Sequence, residues 1–222
     1  MYYKPISNQA NRALRALKVK PAHVADSLRN LVSFDPELRK KKQLRIVEIG
    51  VCNGVNFPDY PDGCQLILVD TNDKFEPMMR SYLAKFPTLN LEKYYIAEPE
   101  DMVEIPDGSV DAVVSQYALC SCKHEYVVIK EIQRILAPGG KYYFVEHVLD
   151  KKNIFRRMLQ KLFVNTGILG IIGLGCNATR DMESALRKAD FSALTVNALS
   201  ISLKYNISAF VTGSNIFGVA TK

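Results

Sequence analysis

Val47-Glu48-Ile49-Gly50-Val51-Cys52-Asn53-Gly54 is the stretch that decides the fold. An apolar run over residues 44–49 breaks into a glycine turn. A second apolar run, 65–69, ends at Asp70, 22 residues after Glu48. In an open parallel sheet, ligands lie beyond the carboxyl ends of the strands, where the strand order reverses. Glycines at that turn let the backbone approach a ligand closely and take φ values that other residues avoid. An acid ending the next strand can accept hydrogen bonds from both ribose hydroxyls of a nucleoside. Glycine turn, strand-end acid and spacing together say far more than the glycines alone. A dinucleotide fingerprint needs G-x-G-x-x-G, whereas Cys52 holds the middle position here and no third glycine follows.

Outward from the turn, further short apolar runs at 91–96, 110–115 and 141–145 read as strands of a largely buried parallel sheet. Amphipathic segments at 74–86 and 123–136 read as helices between them, the second closed by Pro138-Gly139-Gly140. A helix at 181–189 and β-rich segments near 194–203 and 207–222 follow. This alternation predicts a doubly wound α/β sheet, mostly parallel, whose last strand runs antiparallel. Residues 1–43 form a basic segment, expected to be helical, with Ala13, Leu14, Leu17, Val24, Leu28 and Leu31 supplying apolar faces that the sequence leaves either free or packed on the body. The body is expected to occupy 44–222.

At 222 residues the chain suits one α/β domain with a sizeable core. Hydrophobic residues at 48% and charged residues at 23% are ordinary for a globular protein. The five cysteines are scattered and odd in number, without a CxxC pair, which argues against a disulfide framework or a zinc motif. With only three histidines, no metal site is expected, and the cysteine usage suits a reducing, cytoplasmic setting. The net charge of +6 is uneven: residues 1–45 hold eleven Lys/Arg against three Asp/Glu, +8, so the remainder carries −2. The basic run at Arg39-Lys40-Lys41-Lys42 is either a solvated face or an attraction to anionic lipid. No aromatic residues interleave with it, so nucleic acid is not expected as a partner. No apolar stretch is long enough to span a bilayer.

Several motifs together resemble the ubiquinone/menaquinone-type branch of class I S-adenosylmethionine-dependent methyltransferases. They are the E-x-G-x-x-x-G turn, Asp70, Glu98-Pro99-Glu100-Asp101-Met102, Pro106-Asp107-Gly108-Ser109-Val110-Asp111 and Leu136-x-Pro138-Gly139-Gly140. Within that branch the chain resembles the membrane-associated thiol S-methyltransferases. Gly54-x-Asn56-Phe57, Tyr60-Pro61-x-Gly63-Cys64, Leu119-Cys120-Ser121, Glu146-His147-Val148 and Gly175-Cys176-Asn177-x-Thr179-Arg180 carry that likeness. The resemblance spans 44–222 and implies a seven-stranded Rossmann-like sheet with helices on both faces. It implies S-adenosyl-L-methionine as cofactor and S-adenosyl-L-homocysteine as product. Gly50 and Gly54 would cradle the methionine portion, and Glu48 would fix the turn or the amino group. Asp70 would bind ribose with Thr71 beside it, Glu98 and Pro99 would meet the adenine edge, and Gln116 and Tyr117 would stand where cofactor and acceptor meet. Two features depart from the pattern: Cys52 replaces the usual middle glycine, and residues 1–43 lack the subfamily's hydrophobic anchor.

The implied acceptor is a small lipophilic molecule, a thiol sulfur first and a quinone or other lipid-like ring second; a non-catalytic cofactor-binding module is the competing class. His147, ending the fifth strand, either takes the proton of an acceptor thiol or hydrogen-bonds the loop backbone. Cys120 and Cys122 read as small hydrophobes beside a buried strand, and Asp111 as an order-giving residue before its strand. Residues 151–175 read as an acceptor lid with peripheral membrane contact, or as plain core packing. In that segment Ile154, Phe155, Met158, Leu159, Leu162 and Phe163 would form an apolar face opposite Lys152, Arg156, Arg157 and Lys161.

Overall fold

A computed structural model describes residues 27–172, 175–201 and 207–222. The elements run α1 (Pro36–Lys40), β1 (Arg45–Ile49), β2 (Gln65–Asp70), α2 (Glu76–Leu83), β3 (Asn90–Ile96) and β4 (Val110–Gln116). Next come α3 (Glu125–Ile135), β5 (Leu136–His147), α4 (Ile154–Asn165) and α5 (Ile168–Ile172). The last are α6 (Met182–Lys188), β6 (Ala193–Ser200), α7 (Ile207–Val211) and β7 (Ser214–Thr221).

The central strands β1, β2 and β4 are buried without alternation because both faces of the sheet are covered there. From β1, Val47 and Ile49 enter one core and Ile46 the other; from β2, Ile67 and Val69 oppose Leu66 and Leu68. Four residues of α3, Val128, Ile129, Ile132 and Ile135, and Met182, Ala185 and Leu186 of α6 close the first core. Met79 of α2, Phe57 and Leu28 close the second. The seven strands lie in the order β3-β2-β1-β4-β5-β7-β6. β1 pairs in parallel with β2 on one side and β4 on the other, so the order reverses at the end of β1. β7 runs antiparallel between β5 and β6. The seven-stranded, mostly parallel, doubly wound sheet is therefore as expected.

Boundaries and environments differ in places. Pro138-Gly139-Gly140 does not separate helix from strand: α3 ends at Ile135, β5 starts at Leu136, and the three residues form an irregularity in the β4–β5 register. Gly139 takes φ +77° there. The helix expected from 74 begins at Glu76, after a 3-10 turn, with a proline in its first turn. The β-rich segment at 207–222 opens with the short helix α7. β3 is an edge strand and stays largely uncovered.

Of the helical faces expected in 1–43, Ala13, Leu14, Leu17 and Val24 lie outside the described residues. Leu28 and Leu31 pack on the second core, and the Ser27 hydroxyl meets the Tyr143 hydroxyl at 2.9 Å. Asp111 completes the attachment: its carboxylate accepts the N–H of Phe34 at 2.9 Å and that of Arg45 at 2.8 Å. Residues 27–43 thus pack on the body, a point the sequence had left open.

The two faces expected on α4 are split rather than kept whole: one basic residue turns inward and most of the apolar row stays exposed. Arg156 is 4% exposed, whereas Ile154, Phe155, Met158 and Leu162 are 65%, 62%, 64% and 54% exposed. The inward pull is electrostatic: the Arg156 guanidinium donates to Asp150 Oδ2 at 2.9 Å and to the Ser200 hydroxyl at 2.8 Å. Burial alone would raise the Asp150 pKa, but the N–H groups of Asn153 and Lys152 and the Arg156 charge hold it below the ordinary carboxylate value. Leu159 and Phe163 turn inward as expected, onto a small core around Leu169.

Removing one partner of a buried ion pair strands the other. Arg156→Met should therefore cost about 3–5 kcal/mol, read as a lower urea midpoint. The Asp150 contribution is present above the unfolded carboxylate pKa of about 3.9 and is lost as pH falls through its lower folded value. That acid limb of the stability profile should shrink in the variant.

Candidate functional site

The glycine turn hangs between two strands. The Gly50 N–H donates to the Val69 carbonyl at 2.8 Å, and the Cys52 N–H donates to Asp70 Oδ2 at 2.8 Å. Asp70 Oδ1 accepts the Asn72 N–H at 3.0 Å. Gly50 at φ +70° leaves no room for a side chain: a β-carbon would come within 2.9 Å of the Ala118 β-carbon. Cys52 itself takes φ +46°, in the left-handed region that disfavours a β-carbon. Burial, with the Asp70 and Glu48 charges, pushes its thiol up to about 12, so it stays protonated.

Beyond the turn opens a cleft of about 520 Å³. Of the residues expected at the cofactor, Gly50, Cys52, Asp70, Thr71, Glu98, Pro99, Gln116 and Tyr117 line it. Glu48, Gly54 and His147 are not among the lining residues. Glu48 lies beneath the turn, where Asn56 Nδ2 and the Tyr60 hydroxyl each donate to its carboxylate at 2.7 Å. Gly54, at φ +75°, is pressed against the Phe57 ring. Asn72, Phe75, Ala118 and Lys123 line the cleft but escaped the sequence reading, because only folding brings their loops to the β1 turn.

At the far wall, Tyr117 takes φ +59° and its N–H donates to the Val145 carbonyl at 2.8 Å. Its ring stacks on His147, with centroids 4.0 Å apart and planes 10° from parallel. Glu146, fully buried, holds the loop after β4: it accepts from the Ser115 hydroxyl at 2.9 Å, the Leu119 N–H at 3.1 Å and the Cys120 N–H at 3.0 Å. Burial raises the Glu146 pKa, and those donors moderate the rise. Behind Tyr117, Cys120 and Cys176 meet His147 beside a small apolar core that holds Leu169, with Leu159 and Phe163 packed against it. Cys122 packs in the main core, as a small hydrophobe should. Cys176 stood in the sequence only as part of a motif, and its meeting with Cys120 was not legible beforehand, since 56 residues separate the two.

The cleft fits S-adenosylmethionine on its own features. The Gly50 turn is a cradle that any side chain would fill. The Asp70 carboxylate, engaged by backbone N–H groups, can still accept from a ribose hydroxyl. Apolar and amide edges lie at Ala97, Pro99 and Gln116 for a nucleobase.

Known proteins agree. A methyltransferase-domain family model matches residues 47–144. Human thiol S-methyltransferase TMT1A is 33% identical over 180 residues, covering 81% of this chain and 71% of that protein. Human thiol S-methyltransferase TMT1B is 34% identical with the same coverage. Among solved structures, the YcgJ protein of Bacillus subtilis superposes with a TM-score of 0.62 at 13% identity, covering 95% of this chain and 98% of that one. An arsenic(III) S-adenosylmethionine methyltransferase from Chlamydomonas reinhardtii gives 0.58 at 18% identity, covering 94% and 72%. Sheet order, cleft and sequence likeness converge: this chain is an S-adenosylmethionine-dependent methyltransferase and belongs to the thiol S-methyltransferase family.

Proposed function

We propose that the protein transfers a methyl group to the sulfur of a small lipophilic thiol, leaving S-adenosyl-L-homocysteine. The observation that carries this reading is the change of environment across Tyr117 and His147: a polar-ended cofactor cleft on one side and a small apolar core packed against Leu159 and Phe163 of α4 on the other. The names of the curated relatives point the same way.

S-adenosylmethionine supplies an electrophilic methyl group on a sulfonium. The chain's own residues then have three tasks. Gly50, Cys52 and Gly54 shape the turn that receives the methionine portion, with Glu48 holding that turn from below. Asp70 and Thr71 take the ribose, and Glu98, Pro99 and Gln116 flank the base. Tyr117 and His147 align the acceptor for an in-line displacement in a water-poor pocket. A thiol reacts as thiolate, and His147 is the group at this wall that promotes loss of its proton.

The exposed apolar row on α4 supports a peripheral contact through which lipophilic acceptors reach the cleft. No helix among the described residues is long and apolar enough to cross a membrane.

Calorimetry with S-adenosylhomocysteine tests the cofactor assignment. Asp70→Ala should weaken binding at least tenfold, because each lost charge-assisted hydrogen bond is worth about 1.5–3 kcal/mol; unchanged affinity would remove Asp70 from the site. Cys52→Gly should bind equally or more tightly and gain about 1 kcal/mol of stability, since a left-handed non-glycine residue is relieved. A clear loss would give the Cys52 side chain a positive role. For the acceptor side, Phe155→Ser with Met158→Ser should weaken binding to anionic vesicles about tenfold or more. It should also raise KM for lipophilic thiols while leaving cofactor affinity constant; an effect on melting temperature alone would make α4 a packing element only.

A further inference from the structure

Three soft-donor atoms converge behind Tyr117. Cys176 Sγ lies 3.3 Å from His147 Nδ1, Cys120 Sγ lies 3.5 Å from the same nitrogen, and the two sulfurs are 3.6 Å apart. One ligand atom from each of the three residues falls within 4.8 Å of the others. They come from three separate places: the loop after β4, the end of β5 and the loop before α6. We propose that Cys120, His147 and Cys176 form a zinc site with an open fourth position, and that the acceptor sulfur binds there. The second half of this proposal rests on the thiol-methylation reading above; the first half does not.

The distances are those of one face of a tetrahedron. With Zn–S of ~2.3 Å and Zn–N of ~2.0–2.1 Å, ligand atoms stand ~3.8 Å apart for S···S and ~3.5 Å for S···N. The observed edges are within a few tenths of an ångström of these, so little movement is needed. Charge favours the ion as well. The surroundings are apolar, with Leu169, Ala178 and Val211 in the same small core. A lone thiolate would be penalised there, whereas one divalent cation with two thiolates and a neutral imidazole sums to zero.

The supports of the three ligands are built in. The Cys120 N–H is fixed by Glu146, and its carbonyl accepts the Asn177 N–H at 2.8 Å, which ties the Cys120 loop to the Cys176 loop. Tyr117 stacks on the imidazole and sets the ring plane. Asn215 faces His147 across the β5–β7 ladder, on the same side of the sheet. Its side-chain amide is 1% exposed, and neither polar atom has a partner among the described residues. A buried amide left in that condition is available to whatever occupies the fourth position.

This arrangement deepens the chemistry proposed for the site. An acceptor R–SH releases its proton to solvent on binding zinc as R–S⁻. A lone pair of that sulfur forms the new bond to the methyl carbon as the carbon–sulfonium bond breaks, and that electron pair stays on the departing thioether sulfur. The methylated acceptor is a neutral thioether, a weaker ligand, and leaves. His147 then acts as a ligand rather than as the proton acceptor.

The test uses the full chain, reduced, treated with chelator and titrated anaerobically with Co²⁺ and then Zn²⁺. One equivalent of Co²⁺ should give a thiolate-to-cobalt charge-transfer band and tetrahedral ligand-field bands, all displaced by Zn²⁺. Cys120→Ser and Cys176→Ser should each weaken metal binding by more than the ~10–100-fold that losing an outer-sphere partner costs. S-adenosylhomocysteine affinity should be unchanged in both variants, which certifies that they fold. Absence of the band, its persistence in the double variant, or conversion of the pair to a disulfide with no metal uptake would overturn the site. Adding an alkyl thiol should shift the cobalt bands, and its methyl thioether should not; an unmoved spectrum would overturn the acceptor assignment. Undiminished thiol methylation by the metal-free protein would overturn the zinc mechanism while leaving thiol methylation itself standing. Metal uptake without thiol methylation in either form would overturn the thiol-methylation reading while leaving the metal site itself standing.

Discussion

The hydrogen bond from the Cys52 N–H to the Asp70 carboxylate joins the ends of two neighbouring parallel strands and gives the cleft its floor. Asp70 is one of three buried carboxylates that do this at the carboxyl edge of the sheet. Glu48, at the end of β1, gathers Asn56 and Tyr60 under the turn. Glu146, at the end of β5, gathers Ser115, Leu119 and Cys120. A buried charge is tolerable only when hydrogen-bonded, so each carboxylate demands a loop conformation that brings it donors. The loops around the cofactor are therefore held before any ligand arrives.

The same edge carries the backbone strain. Cys52 and Tyr117 are two of three described non-glycine residues with positive φ, and both line the cleft. Such conformations persist where the surroundings over-determine them. At Cys52 the determinants are the Gly50 and Asp70 bonds; at Tyr117 they are the Val145 carbonyl and the stacked His147 ring. Tyr117 thus marks a partition. On one side lie the acids and amides suited to a nucleoside, and on the other a small apolar core in which sulfur and imidazole are the principal polar atoms.

That division also explains α4. Its ion pair to Asp150 and its Gln160 bonds to the Asp150 N–H and the Val148 carbonyl anchor the helix through polar groups, which frees apolar side chains to face outward. A helical-wheel argument assumes that apolar residues turn to the core. Here buried backbone and a buried carboxylate needed partners more, and Arg156 and Gln160 supplied them.

Sequence alone determined the sheet and the cofactor end of the cleft, because those depend on local rules. Apolar runs bury on both faces, glycine permits the turn and an acid ends the second strand, so Gly50, Cys52 and Asp70 line the cleft; Glu98 and Tyr117, which line it too, came from the family resemblance rather than from a local rule. Tertiary structure decided the rest. Which face of α4 turned inward depended on Asp150, which waits outside the helix. That Glu48 supports the turn from beneath depended on Asn56 and Tyr60 folding back across it. The convergence of Cys120, His147 and Cys176 depended on three loops meeting at one sheet edge, across sequence separations that no spacing motif encodes.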